Sequence, residues 1–498
     1  MNQLFRTKSI DALVREAEHP ERRLAKTLGP WSLIALGVGA VIGSGIFTLT
    51  GTAAAGTVMS FPSIWHAPFL DWVLSGFSNI TAVGRPGAGP AVSLSFVLVA
   101  VACGFAALCY AELSSMIPIS GSAYTYAYAT LGEVFAWIIG WNLILEYAVS
   151  NMSVAVGFSA YFNDMLDGVF GVQLPKALSE PMIVNGQFTG SYFNLPALLI
   201  LIALSWLLVR GVKEGAGANN LMVVIKVAAI LIFVFGASRA VKVENWHPFA
   251  PNGFSGVLSG AAIVFFTYIG FDSVSTAAEE CKRPARDLPL GIIGTLVICT
   301  VLYVSVTVVL TGIVPFRTLG NDAPVANALK AIGYDELRRW VTIGALGGML
   351  SSLLVFQYGQ ARIWFAMSRD KLLPPFFARI HKKHRTPHVS TWIAGFAVGI
   401  PAGIWDIGTF AELSNIGTLF AFAMVSAGVI VLRKRDPGRA RGFRVPLSPW
   451  LPMISIACCV ILALGLPLAT WLRFFVWLAL GMAVYFLFSK KHAAETLQ

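Results

Sequence analysis

Charges inside apolar runs are the first residues that could do chemistry here. Lys226 sits in Leu221-Met-Val-Val-Ile-Lys-Val-Ala-Ala-Ile230, and Glu146 in Leu143-Ile-Leu-Glu-Tyr147. A charge at the centre of a bilayer costs at least about 2.5 to 3.5 kcal/mol on insertion scales, so each needs a reason to be there. An ammonium held out of water is a group that can give up and regain a proton, and Lys226 could do this. It could equally snorkel, since its stem lies about two turns from one end of its run. Glu146 could meet a cationic ligand, or form a hydrogen bond that links two helices.

Backbone can also do chemistry where a helix breaks inside lipid, because the exposed amides and carbonyls must then face protein, water or a ligand. Two runs carry such breaks. Gly37-Val-Gly-Ala-Val-Ile-Gly-Ser-Gly-Ile-Phe47 holds four glycines, and Phe265-Phe-Thr-Tyr-Ile-Gly-Phe-Asp-Ser273 has Gly270 and Asp272 interrupting an apolar stretch. Small residues alone would suit close helix packing. Paired breaks five spans apart instead point to an inverted-repeat transporter with its site near the midplane. Free amides at a half-helix N-terminus suit a carboxylate and free carbonyls suit an ammonium, so an amino acid zwitterion fits both.

The elements that must position these groups are membrane spans. The chain has 498 residues, 56% hydrophobic and 12% charged, with mean hydropathy +0.72; a soluble domain carries about 25% charged residues. A span takes roughly 20 apolar residues. Twelve such segments are predicted, at 30–55, 91–117, 122–153, 193–210, 217–240, 256–280, 288–314, 336–368, 389–405, 409–432, 450–468 and 470–488. The first is too long for a cleaved signal and should stay as a span. With both termini cytoplasmic, 25 of the 36 Lys and Arg fall inside and nine outside, with Lys226 and Arg362 within spans, as the positive-inside rule requires. The expected location is the cell's inner, plasma membrane. The net charge of +11 is spread over short loops, which excludes a nucleic-acid face. Six cysteines, Cys103, Cys109, Cys281, Cys299, Cys458 and Cys459, lack metal-ligand spacing and read as core residues.

Other classes lack their chemistry. No phosphate-cradling Gly-x-x-x-x-Gly-Lys-Ser/Thr loop is present for a pump, and no His-Glu-x-x-His for an intramembrane enzyme. No cofactor and no metal is expected. All seven histidines map to loops or tails, so a histidine relay is not expected. Residues 9–25 suit an interfacial helix, with Ile10, Leu13 and Val14 on one face, or a solvated tail. The aromatic-rich external segment 56–90 is expected to pack as a short helix or lid.

The motif from Gly37 to Phe47 resembles the first-helix signature of the amino acid-polyamine-organocation transporters. Tyr110-Ala-Glu-Leu-Ser through Ser120-Gly-Ser-Ala-Tyr-Thr-Tyr126, Gly140-Trp-Asn-Leu-Ile-Leu-Glu-Tyr147, Phe266 to Glu280 and Tyr358-Gly-Gln-Ala-Arg362 are similar to bacterial members of the cationic amino acid transporter family. The resemblance runs from Lys8-Ser-Ile-Asp-Ala12 over nearly the whole chain. It implies an all-α membrane fold of the leucine-transporter type, a five-plus-five inverted repeat with residues 30–240 and 256–432 as the halves. Residues 450–488 would be peripheral, and 1–29 and 489–498 cytoplasmic. It implies that Ile42, Gly43, Ser44 and Gly45 contact the substrate carboxylate. Phe265, Phe266 and Ile269 would receive the ammonium and close as a gate. It favours Lys226 as the carrier of a coupling proton. Met349 would line the side-chain pocket, or merely pack. Glu112, Asp272, Glu279, Glu280 and Arg362 read as structural or gate-forming. The implied partners are an L-amino acid, protons and lipid; small neutral substrates come first, cationic ones or exchange second, and whether a small membrane subunit joins is undetermined by sequence.

Overall fold

The computed structural model describes residues 5–11, 26, 28–57, 85–119, 121–184, 187–210, 215–321, 323–384 and 386–490. Most of the expected interfacial helix, the interior of the external segment and the tail after 490 lie outside them. The described chain is almost wholly helical. Among the described residues, eight helices are long and apolar enough to cross a membrane, and the bent pair Pro30–Val41 and Gly45–Ala55 makes a ninth if counted as one span. Three shorter apolar helices, Leu195–Arg210, His388–Ile404 and Trp450–Leu464, complete the set. Each falls on a predicted span, and the count of twelve rests on these three.

The α-helices of six residues or more are α1 (Pro30–Val41), α2 (Thr50–Ala55), α3 (Val92–Met116), α4 (Ser122–Thr130), α5 (Glu133–Met165), α6 (Leu195–Arg210) and α7 (Gly215–Ala237). Then come α8 (Gly253–Val264), α9 (Pro284–Ile313), α10 (Pro324–Ala331), α11 (Asp335–Arg369), α12 (His388–Ile404), α13 (Ile407–Arg435), α14 (Trp450–Leu464) and α15 (Leu468–Val484). The predicted single span at 122–153 is a correction. Gly132 takes φ +112°, a conformation open chiefly to glycine, so α4 stops at Thr130 and α5 starts afresh and runs twelve residues farther than expected.

Two groups of helices pack around the breaks. In one, α9 lies against α3 and α1, and α8 against α3; in the other, α5, α6, α11 and α12 pack on one another. α7 bridges the groups through α11, α9 and α1, and α13 packs on α5 and α3. The second group is pinned by a buried polar chain. Asn151 Nδ2 donates to Gln357 Oε1 at 2.5 Å, and Gln357 Nε2 donates to Ser205 Oγ at 3.0 Å and to the Thr391 carbonyl at 3.4 Å. In lipid such bonds supply the specificity that apolar contact alone does not. Trp141 and Trp477 stack at 4.6 Å, and each indole donates to the other's carbonyl, fixing α15 to α5.

Charges sort to two faces. On one, residues 5–11 dock against the ends of α5 and α11: Lys8 pairs with Asp370 at 3.2 Å, the Glu133 amide donates to the Arg6 carbonyl, and Arg439 reaches Asp11. On the opposite face, Arg338 pairs with Asp164, Thr342 Oγ1 donates to Asp164 Oδ2, and Lys330 approaches Asp167. The base of the external segment lies on this face, closed by Gly56 opposite Pro86 and Thr57 opposite Arg85. Five cysteines are buried as expected, and Cys458 is partly exposed.

Of the expected structural charges, Glu112 is the most constrained. Only 1% exposed, its carboxylate accepts from Arg433 (2.5 and 2.9 Å), Arg441 (3.2 Å) and the Val445 amide (2.7 Å), holding the connection after α13 against α3. Arg362 is exposed and lies over the Tyr358 ring at 3.9 Å. Removing Glu112 leaves buried donors unpaired, so Glu112→Ala is expected to destabilise the protein by roughly 3–5 kcal/mol. A melting curve in detergent that matches wild type would remove Glu112 from this role.

Candidate functional site

The first break follows from its glycines. α1 ends at Val41; Ile42 is extended, the Gly43 amide turns back to the Val41 carbonyl at 3.0 Å, and the helix resumes at Ser44 through a π turn, Gly45–Leu49. The two halves meet at 45°. A helix end leaves four carbonyls without intrahelical donors. Here the Ile42 amide takes the Val38 carbonyl, and side chains reach the four carbonyls from Gly39 to Ile42. Lys226 Nζ donates to Gly39 at 2.5 Å and Ile42 at 2.8 Å. Ser352 Oγ lies 3.3 Å from the Gly39 and Ala40 carbonyls and 3.1 Å from that of Ile42. Tyr303 Oη lies 3.0 Å from the Val41 carbonyl.

The second break mirrors the first. α8 passes into a 3-10 turn, Phe265–Tyr268; Ile269 is extended, Gly270 takes φ +117°, and the chain continues as a 3-10 helix, Phe271–Glu280. Any side chain at Gly270 would meet Ala40 at 3.1–3.2 Å, in a backbone conformation that disfavours it. The Thr267 carbonyl lies 2.9 Å from the same Tyr303 hydroxyl, whose single proton serves one break at a time. The Ala262 carbonyl accepts from Asn415 Nδ2 at 2.8 Å, and that of Phe266 from the Ile269 amide at 3.2 Å. The breaks also touch directly, since a Cβ on Gly45 would lie 2.7 Å from Thr267 Cγ2.

The residues named from sequence thus fall into two places. Ile42 to Gly45, Phe265 to Ile269 and Lys226 meet at the paired breaks. Met349 is fully buried one turn before Ser352, next to Gly348, which backs the Lys226 stem. Glu146 stands apart from the first break. On α5 it is Val154 and Gly157 that face Gly43 and Ser44; at 1.5 Å per residue, Glu146 lies about 12–16 Å along the helix from them. It shares a seam with α13, where Ser150 and Ser414 hydroxyls are 2.7 Å apart, and it is 3% exposed with Oε2 lacking a protein partner. Asp272, in the 3-10 stretch, accepts from Ser122 Oγ at 3.2 Å, which gives it a structural partner.

Lys226 is 0% exposed and reaches into the protein, so the snorkelling alternative is excluded. Sequence reading missed Ser352 and Tyr303. Each is a hydroxyl within an apolar run, and a buried hydroxyl needs a partner; that was the available signal, but it does not name the partner. After the break, the Ser44 and Thr48 hydroxyls are buried with no protein partner. With the free amides that open the second half-helix, they form a polar turn able to hold an anionic group.

Residues 28–485 match the family model described as amino acid permease. The chain is 46% identical over 492 residues to the branched-chain amino acid permease BcaP of Bacillus subtilis (strain 168), covering 98% of each. It is 44% identical to the methylthioribose transporter of the same organism, covering 99% of each, and 36% identical to cationic amino acid transporter 9, chloroplastic, of Arabidopsis thaliana, covering 93% of this chain and 76% of that one.

Because Lys226 and Ser352 share carbonyl partners, their removal should not add. A thermal double-mutant cycle with Lys226→Met and Ser352→Ala is expected to show a coupling of about 0.5–3 kcal/mol. Strictly additive losses would mean that the two side chains act independently.

Proposed function

The chain belongs to the amino acid permease family, and from that premise we propose that it is a proton-coupled carrier of neutral amino acids in the plasma membrane, with its basic face and N-terminus cytoplasmic. The observation that carries the reading is the meeting of two broken helices around Lys226. The amides and hydroxyls after Ile42 would take the substrate carboxylate, the carbonyls at Phe265, Phe266 and Ile269 its ammonium, and Met349 part of its side chain. The two halves of the chain would act as inverted repeats, moving against each other about the breaks.

Lys226 links proton to shape. Its ammonium holds the end of α1 through two carbonyls. Loss of the proton weakens that charge-assisted grip, freeing α1 to tilt, and recovery of the proton restores it. Sodium has no role in this scheme, because a cation already fills the oxygen cage. Neutral aliphatic substrates are favoured by the position of Glu146 away from the first break and by relatives named for branched-chain amino acids. A second reading, transport of methylthioribose, is favoured by the 44% identical relative of that name. That ligand lacks both the carboxylate and the ammonium for which the breaks are suited.

Labelled leucine and alanine uptake into liposomes is expected to rise when an inward proton gradient is imposed, with unlabelled leucine competing and arginine and methylthioribose not. Uptake that ignores the gradient but needs amino acid preloaded inside would establish exchange instead. Lys226→Ala is expected to abolish gradient-driven accumulation; if accumulation persisted, the lysine would not carry the coupling. Should arginine compete in wild type, Glu146→Gln is the test of a cationic pocket, and competition unaffected by that change would leave the carboxylate a purely structural role.

A further inference from the structure

The connection between α11 and α12 is built as a basic surface with an apolar edge. From Lys371 to Trp405 the sequence has no acidic residue, whereas Lys371, Arg379, Lys382, Lys383 and Arg385 are basic. Asp370, just before it, is already engaged by Lys8 and by the Tyr124 hydroxyl at 2.7 Å. Arg379, Lys382 and Lys383 are exposed, and no carboxylate of the described residues pairs with them. On the same surface Phe376 is 38% exposed and Ile380, four residues on, 52%.

The segment is held in one shape. Phe377 turns inward against Trp364, with ring centroids 5.1 Å apart, and its carbonyl accepts from Ser390 Oγ at 2.6 Å. His381 Nδ1 accepts from the Lys383 and His384 amides at 3.2 Å each, the His381 amide donates to the Thr386 carbonyl at 2.8 Å, and Thr386 Oγ1 donates to the Val209 carbonyl at the end of α6. This frame folds the backbone under and turns the cations out. Its height in the bilayer follows from helix length. It joins the ends of two apolar helices, and the 17 residues of α12 span only about 26 Å of a hydrocarbon core of about 30 Å, placing His388 at the headgroup boundary.

We propose that this connection is a binding surface for anionic phospholipid, with Arg379, Lys382 and Lys383 on the headgroup phosphates and Phe376 and Ile380 set among the acyl chains. Unpaired cations at headgroup level attract an anionic leaflet, and exposed apolar residues beside them enter it. The occupant is a lipid because the surface lies at the membrane edge and is half apolar. The inference is independent of what the protein carries.

The test uses the whole protein, purified in detergent, titrated with phosphatidylglycerol or phosphatidylcholine, with the retained lipid extracted and quantified by mass spectrometry. Wild type is expected to prefer phosphatidylglycerol, and washing at 1 M salt, where screening reaches about 3 Å, to remove the preference. Neutralising Arg379, Lys382 and Lys383 to Gln should weaken phosphatidylglycerol binding by up to about fivefold per charge and leave phosphatidylcholine unchanged. The comparison variant Lys434→Gln/Arg435→Gln, with two exposed cations on the same face, should retain the preference. Equal retention of both lipids by wild type, a preference that survives high salt, or an equal loss in the comparison variant would each overturn the proposal. The salt result needs no variant, so a preference that survives it overturns the proposal even if the triple substitution fails to fold.

Discussion

Everything at the centre of this protein depends on one constraint: a helix stopped inside lipid leaves four carbonyls that must find donors. The end of α1 finds them in Lys226, Ser352 and Tyr303, drawn from three different helices. The break is therefore a junction. It ties α7, α9 and α11 to the first span, and through Tyr303 it ties the first break to the second. A continuous helix at the same place would need none of these side chains and would make none of these connections.

The surrounding structure supplies the rigidity such a junction needs. Gly45 and Gly270 let the two broken segments approach to distances that a Cβ would forbid. The Asn151, Gln357, Ser205 and Thr391 chain locks α5, α6, α11 and α12 into one unit. The group containing α1, α3, α8 and α9 adds aromatic contacts to its hydrogen bonds, with Tyr303, Tyr268 and Phe96 in mutual contact and Ser95 donating to the Val257 carbonyl. Both groups are cross-linked by side-chain polar bonds, and the one containing α1 holds both breaks.

Charge closes the two ends differently. On the N-terminal face Glu112 gathers two arginines and a backbone amide, and Lys8 brings the start of the chain onto Asp370. On the opposite face Asp164 takes Arg338 and Thr342 beside the C-terminal end of α5. Both networks sit where helices emerge, and water there lowers the cost of the residual charge that a bilayer centre would impose.

The sequence by itself determined the membrane, the positions of the spans and the places where two of them break. Those features are written in local runs: apolar length, glycine clusters and basic loops are each legible within about twenty residues. It also marked Lys226, because a lone cation in an apolar run is conspicuous. Tertiary structure alone decided what Lys226 does with its charge, since its acceptors lie 184 and 187 residues away. It decided that Ser352 and Tyr303 belong to the junction, that Gly132 divides the expected third span, and that Glu146 lies on the seam with α13 away from the first break. A single hydroxyl or carboxylate in a helix shows that a partner is needed; which helix supplies it depends on packing between segments that no local pattern encodes.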